Sequence, residues 1–356
     1  MRAANLNPWD TDASIMAKYL VTGGAGFIGC NAARRVLERG DGLVVVDNLS
    51  RKGTAQNLAW LRTLGDFDFV ETDVRDAAAM ERLFLDHGDA DVVLHLAGQV
   101  AVTTSVQNPR EDFEINALGS LNLLEGVRKA GVKPLLIYAS TNKVYGGMEE
   151  IAIEERGTGY AYRDYPLGIP ETAPLDFHSP YGCSKGAADQ YFRDYARIYG
   201  IPTMVCRQSC IYGPRQFGVE DQGWVAWFVI AAVLGKPVTI YGNGKQVRDV
   251  LYVDDLIDAY FLAAERPDFV SGKVYNVGGG PAFTMSIWAE FGPLLERMLG
   301  RAIPVSQGDW RPGDQPVYIS DIRKIEADLG WRPKHSVEDG TRKLFDWVQA
   351  NRGLFA

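Results

Sequence analysis

Along the first part of the chain, short runs of continuous apolar residues alternate with longer amphipathic stretches. Tyr19–Val21, Leu43–Val46, Phe69–Val70, Val92–Leu96, Leu135–Tyr138 and Thr203–Cys206 lack a polar alternation. That predicts strands covered on both faces, as in a parallel sheet. Between them, Phe27–Glu38, Ala77–Asp86, Phe113–Lys129 and Pro180–Tyr199 read as helices. The expected fold is therefore α/β, a Rossmann-type doubly wound parallel sheet over residues 17–213. Beyond Gly213 the pattern breaks into scattered Gly and Pro, with helices expected near Trp288–Leu299 and Ser336–Asn351. Residues 214–356 are assigned mainly to a smaller C-terminal substrate-binding lobe, with some segments returning to the first domain. Gly147–Phe177, rich in Gly, Pro, Tyr and charge, fits a substrate-covering loop and a solvated insertion equally well.

Length and composition narrow the class. The 356 residues, 46% of them hydrophobic, suffice for a large core or for two lobes sharing one cleft. A net charge of -8 supplies no basic field, so nucleic acid is not an expected partner. No run of eighteen apolar residues occurs, so no membrane span is expected. Residues 1–16 have no apolar segment of the secretory kind and are expected to form a disordered leader. Cys30, Cys183, Cys206 and Cys210 lack CxxC spacing, which suits a reducing, cytoplasmic compartment. The four histidines stand far apart, and no metal is expected.

The first chemical signal is Val21-Thr22-Gly23-Gly24-Ala25-Gly26-Phe27-Ile28-Gly29, a GxxGxxG spacing between a strand and a helix. Gly23 makes the tight turn, Gly26 leaves room for pyrophosphate over the helix N-terminus, and Gly29 allows close helix–strand packing. Asp47 ends the second strand, eighteen residues after Gly29, where its carboxylate can accept both ribose hydroxyls of an adenosine. That favours NAD over NADP, although Arg51 lies close by. Asn48, Ser50 and Arg51 after this strand, Asp73-Val74 after the third, Leu96-Ala97-Gly98 after the fourth, and Asn116 on the following helix complete the candidate cofactor site.

The second signal is Tyr181-Gly182-Cys183-Ser184-Lys185. Tyr181 and Lys185 lie four residues apart on a predicted helix and so share one face. Ser179 suits the N-cap and Pro180 the first helical position, and Gly200 and Pro202 fit the end. A free tyrosine titrates near ~10, so a phenolate at neutral pH requires lowering it by roughly three pH units, about 4 kcal/mol. Lys185 and a positive nicotinamide would supply this. Thr141 would hold the same substrate hydroxyl while Tyr181 takes its proton.

The glycine turn, the Ser140-Thr141 segment and the Tyr181/Lys185 pair follow in the order and at the distances of the extended short-chain dehydrogenase/reductase family, which the chain resembles over nearly its whole length. The resemblance implies catalytic Thr141, Tyr181 and Lys185, the last two also touching the cofactor. Family members that dehydrate sugars hold Asp and Glu where this chain has Asn142 and Lys143. Without those carboxylates, oxidation followed by reduction remains feasible, which is epimerase chemistry. Cys210, within Arg207–Arg215, stands where many sugar-nucleotide members have Asn. His95–Ala101, Ser140–Lys143, Arg215-Gln216-Phe217 and Asp221–Val225 resemble the CDP-tyvelose (CDP-paratose) 2-epimerases. That resemblance implies inversion at C2 of a CDP-sugar with tightly bound NAD, and a homodimer or homotetramer formed through Phe113–Lys129 and Pro180–Tyr199. Candidate substrate contacts are Gln99, Thr141, Asn142, Lys143, Ser209, Gln222, Gly223, Trp224, Arg248 and Arg311, with Trp224 fitting base stacking and core packing equally. Rival readings are a UDP-sugar 4-epimerase, a net oxidoreductase and a catalytically silent NAD-binding regulator.

Overall fold

The computed structural model describes residues 16–310 and 315–355. Residues 1–15 of the expected leader and Arg311 lie outside the described residues. The chain runs β1 (Lys18–Thr22), α1 (Phe27–Arg39), β2 (Gly42–Asp47), α2 (Thr54–Leu61), β3 (Asp68–Glu71), α3 (Ala77–Asp86) and β4 (Val92–His95). It continues through α4 (Val102–Gln107), α5 (Pro109–Phe113), a π-helical turn at Glu114–Leu118, α6 (Gly119–Ala130) and β5 (Leu135–Thr141). A 3-10 turn at Asn142–Tyr145, a hairpin of β6 (Ile153–Arg156) and β7 (Gly159–Tyr162), α7 (Ser179–Tyr199) and β8 (Thr203–Gln208) follow.

Seven strands form a wholly parallel sheet, and its last member, β12 (Lys273–Val277), returns from the second half of the chain to pair with β8. The order β12-β8-β5-β4-β1-β2-β3 reverses direction between β1 and β4. At such a switch point the loops leaving neighbouring strands diverge and open a crevice at the strands' carboxyl ends. Apart from the edge strand β3, the strands are buried on both faces, which is why their sequences run apolar without alternation.

The second half builds a smaller layer from β9 (Cys210–Tyr212), α8 (Trp224–Leu234), β10 (Val238–Tyr241), β11 (Val247–Tyr252), α9 (Val253–Ala264), β13 (Thr284–Ser286), α10 (Phe291–Leu299), β14 (Val305–Gly308), β15 (Val317–Tyr318) and α11 (Val337–Ala350). β9, β11, β13 and β15 share one small sheet, and β10 pairs with β14. No helix among the described residues is long and apolar enough to cross a membrane.

The structure corrects three expectations. The helix expected over Phe113–Lys129 is broken by the π turn, because Ser120 Oγ donates to the Asn116 carbonyl at 2.6 Å and enters the backbone ladder. The helix expected near Trp288 begins only at Phe291, since the Trp288 N–H is committed to Gly244 O at 2.9 Å. Residues 147–177 neither cover the cleft nor stand free in solvent. They form the β6–β7 hairpin, whose Gly159 packs on Val247 and whose Glu155 pairs with Lys245, so the segment is docked on the second lobe.

One buried ion pair ties α7 to the central sheet of the first domain. Arg207 on β8 grips Asp189 on α7 through two bonds of 2.9 and 3.1 Å, with side chains 2% and 0% exposed. Ser140 Oγ donates to the same carboxylate at 2.8 Å, and Arg207 also reaches the Tyr145 hydroxyl at 3.1 Å. Removing one partner of such a pair leaves an uncompensated buried charge. Arg207→Met is expected to lower the unfolding free energy by about 3–5 kcal/mol in urea melts. The exposed, one-turn pair Arg110–Glu114 should tolerate Arg110→Met with a loss under about 0.5 kcal/mol. Equal losses in the two variants would contradict this account of the buried pair.

Candidate active site

One cleft of about 850 Å³ opens at the switch point, and the glycine turn, the ends of β2, β4 and β5, Tyr181 and the 208–224 segment line it. Gly23 sits in the left-handed region, φ 66°, and a Cβ there would lie 2.7 Å from Ala97 N. A Cβ on Gly29 would lie 2.1 Å from Gly23 O, so helix, strand and the β4 loop meet at a distance only glycine permits. Gly26, Phe27, Ile28 and Gly29 all face the cleft. Asp47 is buried at its rim, its two oxygens accepting the Ala25 and Leu49 amides at 3.0 and 2.8 Å. Burial raises this carboxyl while the two amides and Arg51 oppose the rise. Each oxygen keeps a lone pair for a ribose hydroxyl. A glycine cradle that any Cβ would fill, ending beside such a carboxylate, fits NAD.

At the adenosine end, Asn48 donates to Asp73 at 2.7 Å and Arg75 binds the same carboxylate, holding Asp73 down to about 2. Ser50, Val74, Leu96, Ala97 and Gly98 line the cleft as expected. Arg51 takes a different path from a ribose contact. It spans the cleft, donating to Gln222 Oε1 and to Gly98 O, and so ties the cofactor wall to the 218–224 segment.

Two residues expected at the cofactor, Asn116 and Lys185, are buried directly beneath Gly98 of the cleft wall. Asn116, in the π turn, exchanges hydrogen bonds with the Gln99 backbone at 2.9 and 3.0 Å and donates to Asp112 and Ser184. Lys185 is buried, with Nζ 4.4 Å from the Tyr138 ring centroid. Burial pulls it down to about 7, with Asp112 and Asp189 opposing. Burial likewise pushes the Tyr181 phenol up to about 12, against a hydrogen bond with Thr141 and the charge of Arg51. Within the protein alone, Thr141 and Arg51 are the groups that oppose this rise.

The catalytic turn is held from both sides. Ser179 adopts φ 68° and its Oγ accepts the Gly182 amide at 3.2 Å, the bond of a capping serine, although His178 occupies the N-cap. Ser105 Oγ accepts the Tyr181 amide at 3.1 Å. Asp112 was not legible as a site residue. Its carboxylate receives Ser184 Oγ at 2.5 Å, Gln99 Nε2 at 2.8 Å and Asn116 Nδ2 at 3.2 Å. Its spacing from Asn116, four residues along one helical face, was the available signal. Gln99, expected on the substrate, spends its amide on Asp112 and Ala101.

On the opposite wall, Gln222, Gly223 and Trp224 lead into α8, and the Trp224 ring packs 5.2 Å from Phe291 and 5.8 Å from Phe228 while still bordering the cleft. The core packing expected of this tryptophan is what these contacts show. Ser209 Oγ is bound to Asp249, and Arg248, on β11, borders the cleft. Asn142 and Lys143 follow Thr141 along its edge. Cys30, Cys183, Cys206 and Cys210 are unpaired, and among the described residues no cluster of His, Cys, Asp or Glu could hold a metal ion.

Behind the glycine turn, His95 joins Thr22 to the π turn. Ser120 donates to Asn116 O, so its oxygen accepts from His95 Nε2–H at 3.0 Å, and Nδ1 accepts the Thr22 hydroxyl at 2.7 Å. Burial, with Lys185 nearby, drives His95 down to about 3. An unfolded histidine titrates near ~6.5, so below that pH the unfolded chain binds the extra proton and stability falls with falling pH. Nitrogen-15 NMR at pH 5 should show His95 as the neutral Nε2–H tautomer, and an imidazolium signal there would contradict this network.

The NAD dependent epimerase/dehydratase family matches residues 19–278 of the chain. CDP-paratose 2-epimerase of Salmonella typhi is 48% identical over 338 residues, 94% of this chain and 99% of that protein. The UDP-glucose 4-epimerase of Thermotoga maritima superposes with a TM-score of 0.81 at 35% identity, over 94% of this chain and 99% of that one. The dTDP-glucose 4,6-dehydratase DesIV of Streptomyces venezuelae, solved with NAD bound, gives 0.80 at 30% identity over 94% and 98%. A GxxGxxG cradle ending at Asp47, a Thr141–Tyr181 pair facing it, and these likenesses over nearly the whole length place the chain in the NAD dependent epimerase/dehydratase family.

Proposed function

We propose that the protein inverts C2 of a CDP-hexose of the CDP-paratose/CDP-tyvelose type, by transient oxidation to a ketone and reduction from the opposite face. The observation that carries this reading is the turn after Thr141. It presents Asn142 and Lys143 to the cleft, next to an intact Thr141–Tyr181 pair, in a chain 48% identical to a CDP-paratose 2-epimerase. Neither an amide nor an ammonium replaces the acid–base pair that eliminates water.

Gly23, Gly26, Gly29 and Asp47 hold NAD, with Asp73 and Val74 at its adenine. When bound, NAD supplies a positively charged ring and both the acceptor and the donor of hydride. Thr141 orients the substrate C2 hydroxyl, and Tyr181 removes its proton and later returns it. Lys185, anchored over Tyr138, contributes positive charge behind the phenol. Because the proton and the hydride both return, no redox equivalent leaves the site.

Ser209, Gln222, Gly223, Trp224 and Arg248 form the nucleotide-diphosphate side of the cleft, where arginine suits phosphate oxygens. The apolar groups left on α5–α7, Phe113, Leu118, Tyr191 and Ile198, suit a homodimer or homotetramer built on these helices. Four free thiols suit a cytoplasmic setting.

Proton NMR of the purified protein with CDP-paratose and, separately, UDP-glucose, without added cofactor, tests the reading. Inversion at C2 of the CDP-sugar is expected, and Tyr181→Phe should retain bound NAD while losing turnover by about 10²–10⁴-fold. Inversion at C4 of UDP-glucose alone would replace the C2 assignment with the 4-epimerase one. Near wild-type turnover in Tyr181→Phe would refute the catalytic assignment.

A further inference from the structure

Lys143 is placed in an unusual position for a cation. Thr141 ends β5 and caps the 3-10 turn, its Oγ1 accepting the Lys143 amide at 3.2 Å, so the lysine backbone is fixed against the catalytic hydroxyl. The side chain is half-buried, borders the cleft and extends away from the first domain, with Nζ 3.3 Å from Gln315 Oε1. Gln315 is buried and donates its amide N–H to Gly146 O, which turns its oxygen toward the lysine. It leads into β15, which pairs with β11 in the register Arg248↔Tyr318. The charges of Lys143 and Arg248 are both felt at the Cys210 thiol, which also borders the cleft. A cation carried by the Thr141 turn and one carried by the second lobe therefore converge on one wall.

The substrate gives this convergence a purpose. In a nucleotide-hexose the anomeric carbon carries the diphosphate. C2 is its immediate neighbour, whereas C4 lies across the ring. An enzyme that oxidises C4 holds the phosphate away from its catalytic hydroxyls. One that oxidises C2 must bring the sugar-side phosphate almost against them, into a cleft where an anion without a partner is costly. The compensating charge has to sit on the catalytic turn itself, which is where Lys143 is. An acidic side chain at that position would repel the phosphate.

Building on the assignment of CDP-hexose C2 epimerisation, we propose that Lys143 sets the regiochemistry. Its ammonium holds the sugar-side phosphate beside Thr141 and Tyr181, so that C2 rather than C4 meets the reacting centre. Arg248 serves the same diphosphate from the second lobe, and Lys143 is the contact that fixes the register of the ring.

The test compares CDP with CMP, which lacks the sugar-side phosphate, as competitive inhibitors of wild-type, Lys143→Met and Lys143→Arg holoenzymes turning over CDP-paratose. Bound NAD and melting temperature confirm that each variant is folded. Lys143→Met should weaken CDP by roughly 30-fold and leave CMP within about 3-fold, with kcat/KM for C2 inversion falling in step with CDP and Lys143→Arg recovering most of the loss. If CDP is unchanged, or if CDP and CMP weaken equally, Lys143 does not hold that phosphate and the inference falls while C2 inversion by the wild type stands. A wild type that leaves CDP-paratose untouched removes the C2 reading and this inference together.

Discussion

The inner face of α7 must keep charged groups charged where little water reaches, and the surrounding structure is arranged to allow it. Lys185 and Asp189 lie one turn apart on that face, next to Tyr181 and Ser184, all buried. In a low-dielectric interior an unpaired ion is expensive. Asp189 is matched by Arg207 and Ser140, Ser184 by Asp112, and Lys185 by the Tyr138 ring and the fields of Asp112 and Asp189. These partners come from β5, β8 and the α5–α6 segment, so the reacting groups cannot shift without disturbing three elements of the first domain. The π turn belongs to the same arrangement, since it presents Asn116 to Ser184, Asp112 and the Gln99 backbone at once.

The cleft itself is a seam between two lobes, and the seam is stitched by cations. Arg215, with φ 69°, stacks 4.0 Å from the Trp60 ring centroid and 5.7 Å from that of Trp347, joining α2 to α11. Phe217 closes over Gly53 so tightly that a Cβ there would meet its ring at 2.1 Å. Arg51 crosses from the β2 loop to Gln222, and Lys143 crosses from the β5 turn to Gln315. A substrate with two phosphates entering this seam meets positive charge from both sides, although the molecule as a whole is acidic.

Legibility in the sequence followed physical locality. The βαβ alternation, the glycine turn and Asp47 are set by consecutive residues, and each appears where its pattern places it. What depends on distant partners was hidden. α8 is apolar on every side because it fills the core of the second lobe, so it carries no periodicity to read. Asp112 looks like an ordinary surface acid until the fold carries it against Ser184 and Gln99. The commitment of Asn116 to the Gln99 backbone, and of Gln99 to Asp112, depends on the π turn, which arises from a single serine bonding back to the helix backbone. The hairpin at 153–162 was ambiguous for the same reason, since only the lobe it docks on gives it a place.

The central claim is that one hydride leaves C2 and the same hydride returns to its other face inside a closed site. Turnover of CDP-paratose carrying deuterium at C2, analysed by NMR and mass spectrometry in ordinary water, tests this directly. The account predicts that the inverted product keeps its deuterium at C2, with no solvent hydrogen incorporated. Loss of the label to solvent would show that inversion proceeds by proton exchange at carbon, and would contradict the roles assigned to Tyr181 and the NAD cradle.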